Sequence, residues 1–211
     1  MTALRRARTA LLLALLAGAG QACTLLPSEA PYAVYRLPPP QLPAAEGAPV
    51  GWTLRLGRPA THDVLAGSRI AVAPDERRLG VLPGARWPAP VPVLWRDRLR
   101  EAFQADGRVP RVAVDAERTA ADWALEGTLH AFQLERRGEA PGQAVVRFDA
   151  RLLTADERRI VATRRFSAER RLPGSGPAAA AAALGEASDA VAAALIDWTL
   201  AQVAAHGEDG R

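Results

Sequence analysis

The one side chain with distinctive covalent chemistry is Cys23, the only cysteine in 211 residues. Arg5, Arg6 and Arg8 precede a nearly uncharged apolar run, Leu11 to Ala19, and Gly20, Gln21 and Ala22 lead into the cysteine. A basic segment, a short apolar run and small residues before a cleavage point are the layout of an export signal. The run is shorter than the ~20 apolar residues that span a bilayer. A cysteine directly after the small residues points to thioether acylation. The signal is removed and Cys23 becomes the lipidated first residue. A plain cleaved signal and a retained anchor are the alternatives. A lone cysteine in an oxidising compartment has no intramolecular partner, and acylation removes a reactive thiol. Thr24 follows it, not the Asp that tends to hold such proteins at the inner membrane, which points to the outer membrane.

Other polar residues offer less. His62-Asp63 are neighbours in a loop and make no triad, Ser68 lacks the G-x-S-x-G setting, and Gly80 to Gly84 lacks phosphate-loop spacing. One cysteine and three histidines give no metal-ligand spacing, and His130 reads as a strand residue. No enzyme and no cofactor are expected. Ten arginines crowd residues 136–171: Arg136, Arg137, Arg147, Arg151, Arg158, Arg159, Arg164, Arg165, Arg170 and Arg171. Arginine's fork of donors suits phosphate. However, Glu135, Glu139, Asp149, Asp156, Glu157 and Glu169 are interspersed, so a mixed solvated face competes with a basic patch that binds a partner or lipid headgroups. The formal net charge of +4 includes Arg5, Arg6 and Arg8; without them it is +1. Nucleic acid is therefore not an expected partner.

The elements that must position these residues follow from periodicity. Residues 23–50 form a Pro-rich tether holding one short strand, Tyr32 to Leu37, with the only two tyrosines. Gly51 to Leu56, Ser68 to Ala73 and Arg77 to Leu82 read as strands, and Pro83-Gly84 as a turn. Pro90 to Asp106 reads as a helix with an apolar stripe of Val91, Leu94, Trp95, Leu99, Ala102 and Phe103. Arg96, Asp97, Arg98, Arg100, Glu101 and Gln104 take its other side, and Gly107 its C-cap. Val109 to Val114 is a strand weakened by Pro110. Asp122 to Arg136, Gln143 to Thr154 and Arg159 to Arg170 form an antiparallel meander, with a bulge near His130-Ala131 where the apolar phase changes face. Ala178 to His206 is an alanine-rich helix with a stripe of Leu184, Ala187, Val191, Leu195 and Trp198; Glu186, Asp189 and Asp197 lie off it.

The fold class expected is α/β (α+β), a two-layer sandwich with a largely antiparallel sheet and two main helices on one face. The expected organisation is a signal at 1–22, a tether at 23–50, one domain at 51–206 and a polar tail at 207–211. Tyr32, Tyr35, Trp52, Trp87, Arg147 and Arg151 are candidates for partner contact; core packing is the alternative for each aromatic.

As an ordered set, these features resemble the ABC-type transport auxiliary lipoprotein family. The features are the cysteine, the short aromatic strand Tyr32-Ala33-Val34-Tyr35-Arg36-Leu37, the strands around Leu54-Arg55-Leu56 and Arg69-Ile70-Ala71-Val72, and Arg86-Trp87-Pro88-Ala89-Pro90 leading into Val93-Leu94-Trp95-Arg96-Asp97-Arg98-Leu99. Trp123 to Leu129, the meander and the closing helix complete it. The resemblance implies a non-catalytic subunit of an intermembrane lipid transport system. Its implied partners are an MCE-domain substrate-binding subunit with an ABC permease and ATPase. It also implies a lipid anchor on the inner leaflet of the outer membrane, facing the periplasm, and proteins of this kind can form homo-oligomeric rings. A structural or assembly lipoprotein for envelope proteins, with no transport role, is the competing expectation.

Overall fold

A computed structural model describes residues 31–42, 45–75, 77–136 and 142–209. Cys23, the signal segment and Arg137 lie outside the described residues. The unit considered below begins at Tyr32.

Its trunk is strand β6 (Trp123–Glu135), which is flanked along its whole length by β7 (Gln143–Thr154). The next strand, β8 (Ile160–Arg171), extends the antiparallel meander. Leu125, Gly127 and Leu129 face inward before the bulge, and Phe132 and Leu134 after it. The register slips between Leu129 and Ala131, which leaves His130 as the extra residue. A single inserted residue restores the apolar face after a change of phase, because side chains alternate with a period of two.

The other edge of β6 is forked. Its first residues pair in parallel with β2 (Leu54–Leu56), its last with β3 (Arg69–Asp75). Beyond β2 lies β5 (Val112–Val114), also parallel. Beyond β3 lies β4 (Arg78–Arg86), antiparallel, and then β1 (Ala33–Val34), parallel to β4. The eight-stranded sheet is open and mostly antiparallel, since the parallel pairings are two or three residues long. Pro83-Gly84 is not the turn that its composition suggests. It lies inside β4, where the register with β3 slips, and Gly84 has φ 66°. The chain reverses earlier, at Asp75–Arg78, where the Asp75 carboxylate accepts from the Arg77 N–H (2.9 Å) and from Arg78 Nε (2.6 Å). Proline and a left-handed glycine fit a bulge as well as a turn.

There are three helices among the described residues. The first, α1 (Asp63–Ala66), is a single turn that sequence periodicity does not reveal. The second, α2 (Val91–Asp106), starts after Pro90 and ends at Gly107, whose φ of 81° and N–H to the Phe103 carbonyl (3.2 Å) make a left-handed cap. The third, α3, runs from Gly176 to Asp209. Its length and composition would suffice to cross a membrane, but most of its apolar surface is packed inside the domain. Trp95 of α2 meets Phe132 and Phe148 at ring separations of 6.4 and 5.6 Å, and Trp198 of α3 meets Phe166 at 5.6 Å. Phe148 and Phe166 are directly opposite across β7 and β8. Both long helices therefore cover the same face of the sheet, and the other face carries polar side chains.

Candidate functional site

The Pro-rich segment from Tyr32 to Leu42 is bound to the domain by contacts that its own composition requires. Prolines remove backbone donors and leave carbonyls that must find partners elsewhere. Ala33 and Val34 pair with Ala85 and Arg86, and the Tyr35 N–H donates to the Arg86 carbonyl at 2.8 Å. The Arg86 guanidinium lies 4.1 Å from the Tyr32 ring centroid, a cation–π contact. Further along, Arg98 Nη1 donates to the Pro38 carbonyl, and the Gln41 N–H donates to Asp189 Oδ2 at 2.9 Å. Arg98 and Asp189 hold each other, with Nη2 to Oδ1 at 2.5 Å.

This pair joins α2, α3 and the tether at one point. Arg98 is 3% exposed and Asp189 8%. Burial of either charge alone is costly, and mutual pairing with further hydrogen bonds offsets that cost. Pro38 also rests against Gly185 of α3, where a Cβ would lie 2.8 Å from the proline Cδ. Tyr35, Leu37 and Leu42 pack on the core beside it. The placement of Arg98 on the polar side of its helix is therefore corrected. Spacings of four, three and four put Val91, Trp95, Arg98 and Ala102 on one face. Asp189 is likewise buried, because a helix of alanines lets neighbours close over a short carboxylate.

The opposite sheet face is different. Arg147, Asp149 and Arg151 alternate along β7 and point away from the helices, as period-two alternation requires. Asp149 accepts from His130 Nε2 at 3.0 Å and from Arg165 Nε and Nη2 at 2.6 and 2.7 Å. The Arg165 guanidinium, helped by its charge and by His130, holds the Asp149 carboxyl down at about 2 against a smaller opposing effect of burial. No hydrogen bond or ion pair engages the side chains of Arg147 or Arg151 among the described residues. Near the bulge a groove of about 550 Å³ opens, with Arg147 on its wall.

The aromatic candidates divide. Tyr32 is 48% exposed and Trp52 is half-buried. Trp87 is a core residue at 2% exposure, edge-on to Phe132 at 5.9 Å, so it offers no surface to a partner here. Its place after β4 turns it inward against β6. The tyrosines sit at the β1 edge, and β4, β3 and β6 separate them from Arg147 and Arg151 on β7. The aromatic and basic candidates therefore form two groups. Only Ala33 and Val34 of the expected Tyr32 to Leu37 strand pair as strand. Among the described residues, no three His, Cys, Asp or Glu side chains come together as a metal site.

The family model for the ABC-type transport auxiliary lipoprotein component matches residues 35–195. That span includes Pro38, Arg98 and Asp189. The structure of XCC0632 from Xanthomonas campestris, a DUF330 protein, is similar with a TM-score of 0.74 and 26% identity over 83% of this chain and 99% of that one. An uncharacterised protein of solved structure has the same fold, with a TM-score of 0.61 and 17% identity over 78% of this chain and 96% of its own. No curated protein sequence matches this one.

Proposed function

This chain belongs to the ABC-type transport auxiliary lipoprotein family, and from that premise we propose that it is a non-catalytic, lipid-anchored subunit that docks an MCE-type transport assembly onto the outer membrane. Cys23 carries the anchor in the inner leaflet. The partner is an MCE-domain substrate-binding subunit, served by an ABC permease and ATPase. Tyr32, Trp52, Arg147 and Arg151 are its proposed contact residues.

The observation that carries this reading is the clamp at Arg98 and Asp189. It makes the tether part of the folded domain from Tyr32 onward. The nine residues from Cys23 to Pro31 extend at most roughly 30 Å. Tyr32 can then lie no farther than that from an acylated Cys23, which suits a docking subunit of a bridge between membranes. A long flexible leash would leave the height undefined.

Affinity capture of the full-length chain from detergent-solubilised envelope tests the partner. An MCE-domain protein is expected in the eluate; another envelope complex in its place, with no MCE subunit, defeats the reading. Replacing Cys23→Ala should release the protein from the outer-membrane fraction.

A further inference from the structure

The groove beside the β6 bulge is built from three separate parts of the chain. Arg147 comes from β7, Arg136 from the end of β6, and Arg77 and Arg78 from the β3–β4 turn. The Arg136 N–H bonds to the Ala73 carbonyl at 3.0 Å, which sets the end of β6 beside β3. His130, the bulged residue, lies on the same wall. Strand bulges redirect side chains and break a ladder locally, and here the break opens the groove.

Four arginines line this groove against two carboxylates, Asp75 and Glu135. Both acids are engaged. Asp75 accepts from the Arg77 backbone and from the Arg78 side chain, and Glu135 accepts from Gln133 Nε2 at 3.1 Å. Among the described residues, the side chains of Arg77, Arg136 and Arg147 have no hydrogen-bond or ion-pair partner. Four guanidiniums against two carboxylates leave the described lining of the groove with a net positive charge, and guanidiniums facing one space favour an anion between them. One guanidinium already satisfies a carboxylate's two oxygens, whereas a phosphate offers enough acceptors for several. Leu79, 39% exposed, lies on the rim and gives the groove an apolar border.

We propose that this groove binds a phosphate group, with Arg77, Arg136 and Arg147 as its donors. A phospholipid headgroup and free phosphate share that chemistry. The inference rests on the groove and shares only Arg147 with the docking reading, and its test uses no partner subunit, so either can fail without the other.

The test is calorimetric titration of the full-length chain in dodecyl maltoside at about 50 mM salt, where surface charge is weakly screened. Inorganic phosphate and dihexanoyl phosphatidic acid are the two probes. Saturable binding of at least one is expected. Arg136→Gln with Arg147→Gln should weaken it at least about tenfold, at an unchanged melting temperature. The charge-matched control, Arg118→Gln with Arg171→Gln, should stay within about twofold of wild type. Binding of the lipid about tenfold or more tighter than phosphate identifies a headgroup, and similar affinities identify phosphate itself; both support the site. It is overturned if neither probe saturates, if the groove variant binds like wild type, or if both double variants weaken binding alike.

Discussion

The helical face and the bare sheet face treat arginine in opposite ways. On the helical face Arg98 is buried, bonded to Asp189 and to the Pro38 carbonyl, and closed off from solvent. On the sheet face Arg147 and Arg151 stand in water or at a groove wall without an acidic partner among the described residues. Arg165 lies between these extremes, paired with Asp149 yet exposed. The same side chain is a structural rivet where three elements converge and, among the described residues, a cation without an acidic partner where only one strand supports it. Family membership covers both faces. Their physics separates what holds the tether from what is free to meet a ligand.

The largest expected effect breaks the rivet. Asp189→Ala leaves the Arg98 charge buried without its carboxylate and removes the acceptor of the Gln41 N–H. Loss of one member of a buried pair costs about 3–5 kcal/mol. Urea unfolding of the full-length chain measures it. If the double variant Arg98→Met with Asp189→Leu regains most of that stability, the pair specifies the tether's path more than it stabilises the fold. A cost for Asp189→Ala below about 1 kcal/mol would place Asp189 with the surface pairs and erase the contrast between the faces.

Gly185→Ala probes the tether with less effect on the domain. The added Cβ would meet the Pro38 ring at 2.8 Å, so the segment must lift. Alanine in place of glycine favours the helix by about 1 kcal/mol, which offsets the lost contact. The expected result is a nearly unchanged unfolding midpoint with faster proteolytic cutting between residues 32 and 42. An unchanged cutting rate would mean that the tether's path does not depend on close approach at Gly185.

These contrasts were unequally legible in the sequence. The meander was legible, including the bulge at His130, because alternation reports which side of a strand is apolar and where that side changes. The two long helices were legible from their stripes. Parallel pairing of β2, β3 and β5 was not, because alternation assigns a face to a strand and not a neighbour to its edge. The groove shows the consequence. Arg136 and Arg147 belong to the arginine-rich meander, but Arg77 joins them only because β3 lies parallel to the end of β6. The rivet was hidden differently. Arg98 falls on the buried face by spacing, and its charge argues for solvent; the partner that reconciles the two is 91 residues away. Cys23 illustrates the reverse, a chemistry written in the sequence at a position outside the described residues.

The smallest expected effect is on the exposed side. Asp149→Asn removes a carboxylate that is bidentate to Arg165 but open to solvent, and exposed pairs contribute about 1 kcal/mol or less. Its pH dependence carries more information than its size. The folded-state pKa of about 2 is below the ordinary aspartate value of about 3.9. The carboxylate's contribution is therefore fully present above the unfolded-state value and is lost as pH falls through about 2. The stability difference between wild type and Asp149→Asn should be fully present at about pH 5, shrink below 4 and vanish only below about 2. Added salt should reduce it at neutral pH, because the pair is exposed to screening. A difference that keeps its full size down to pH 2, or ignores salt, would mean that Asp149 acts through packing. The outer face would then share the buried character of the rivet, and the division between structural and available arginines would not hold.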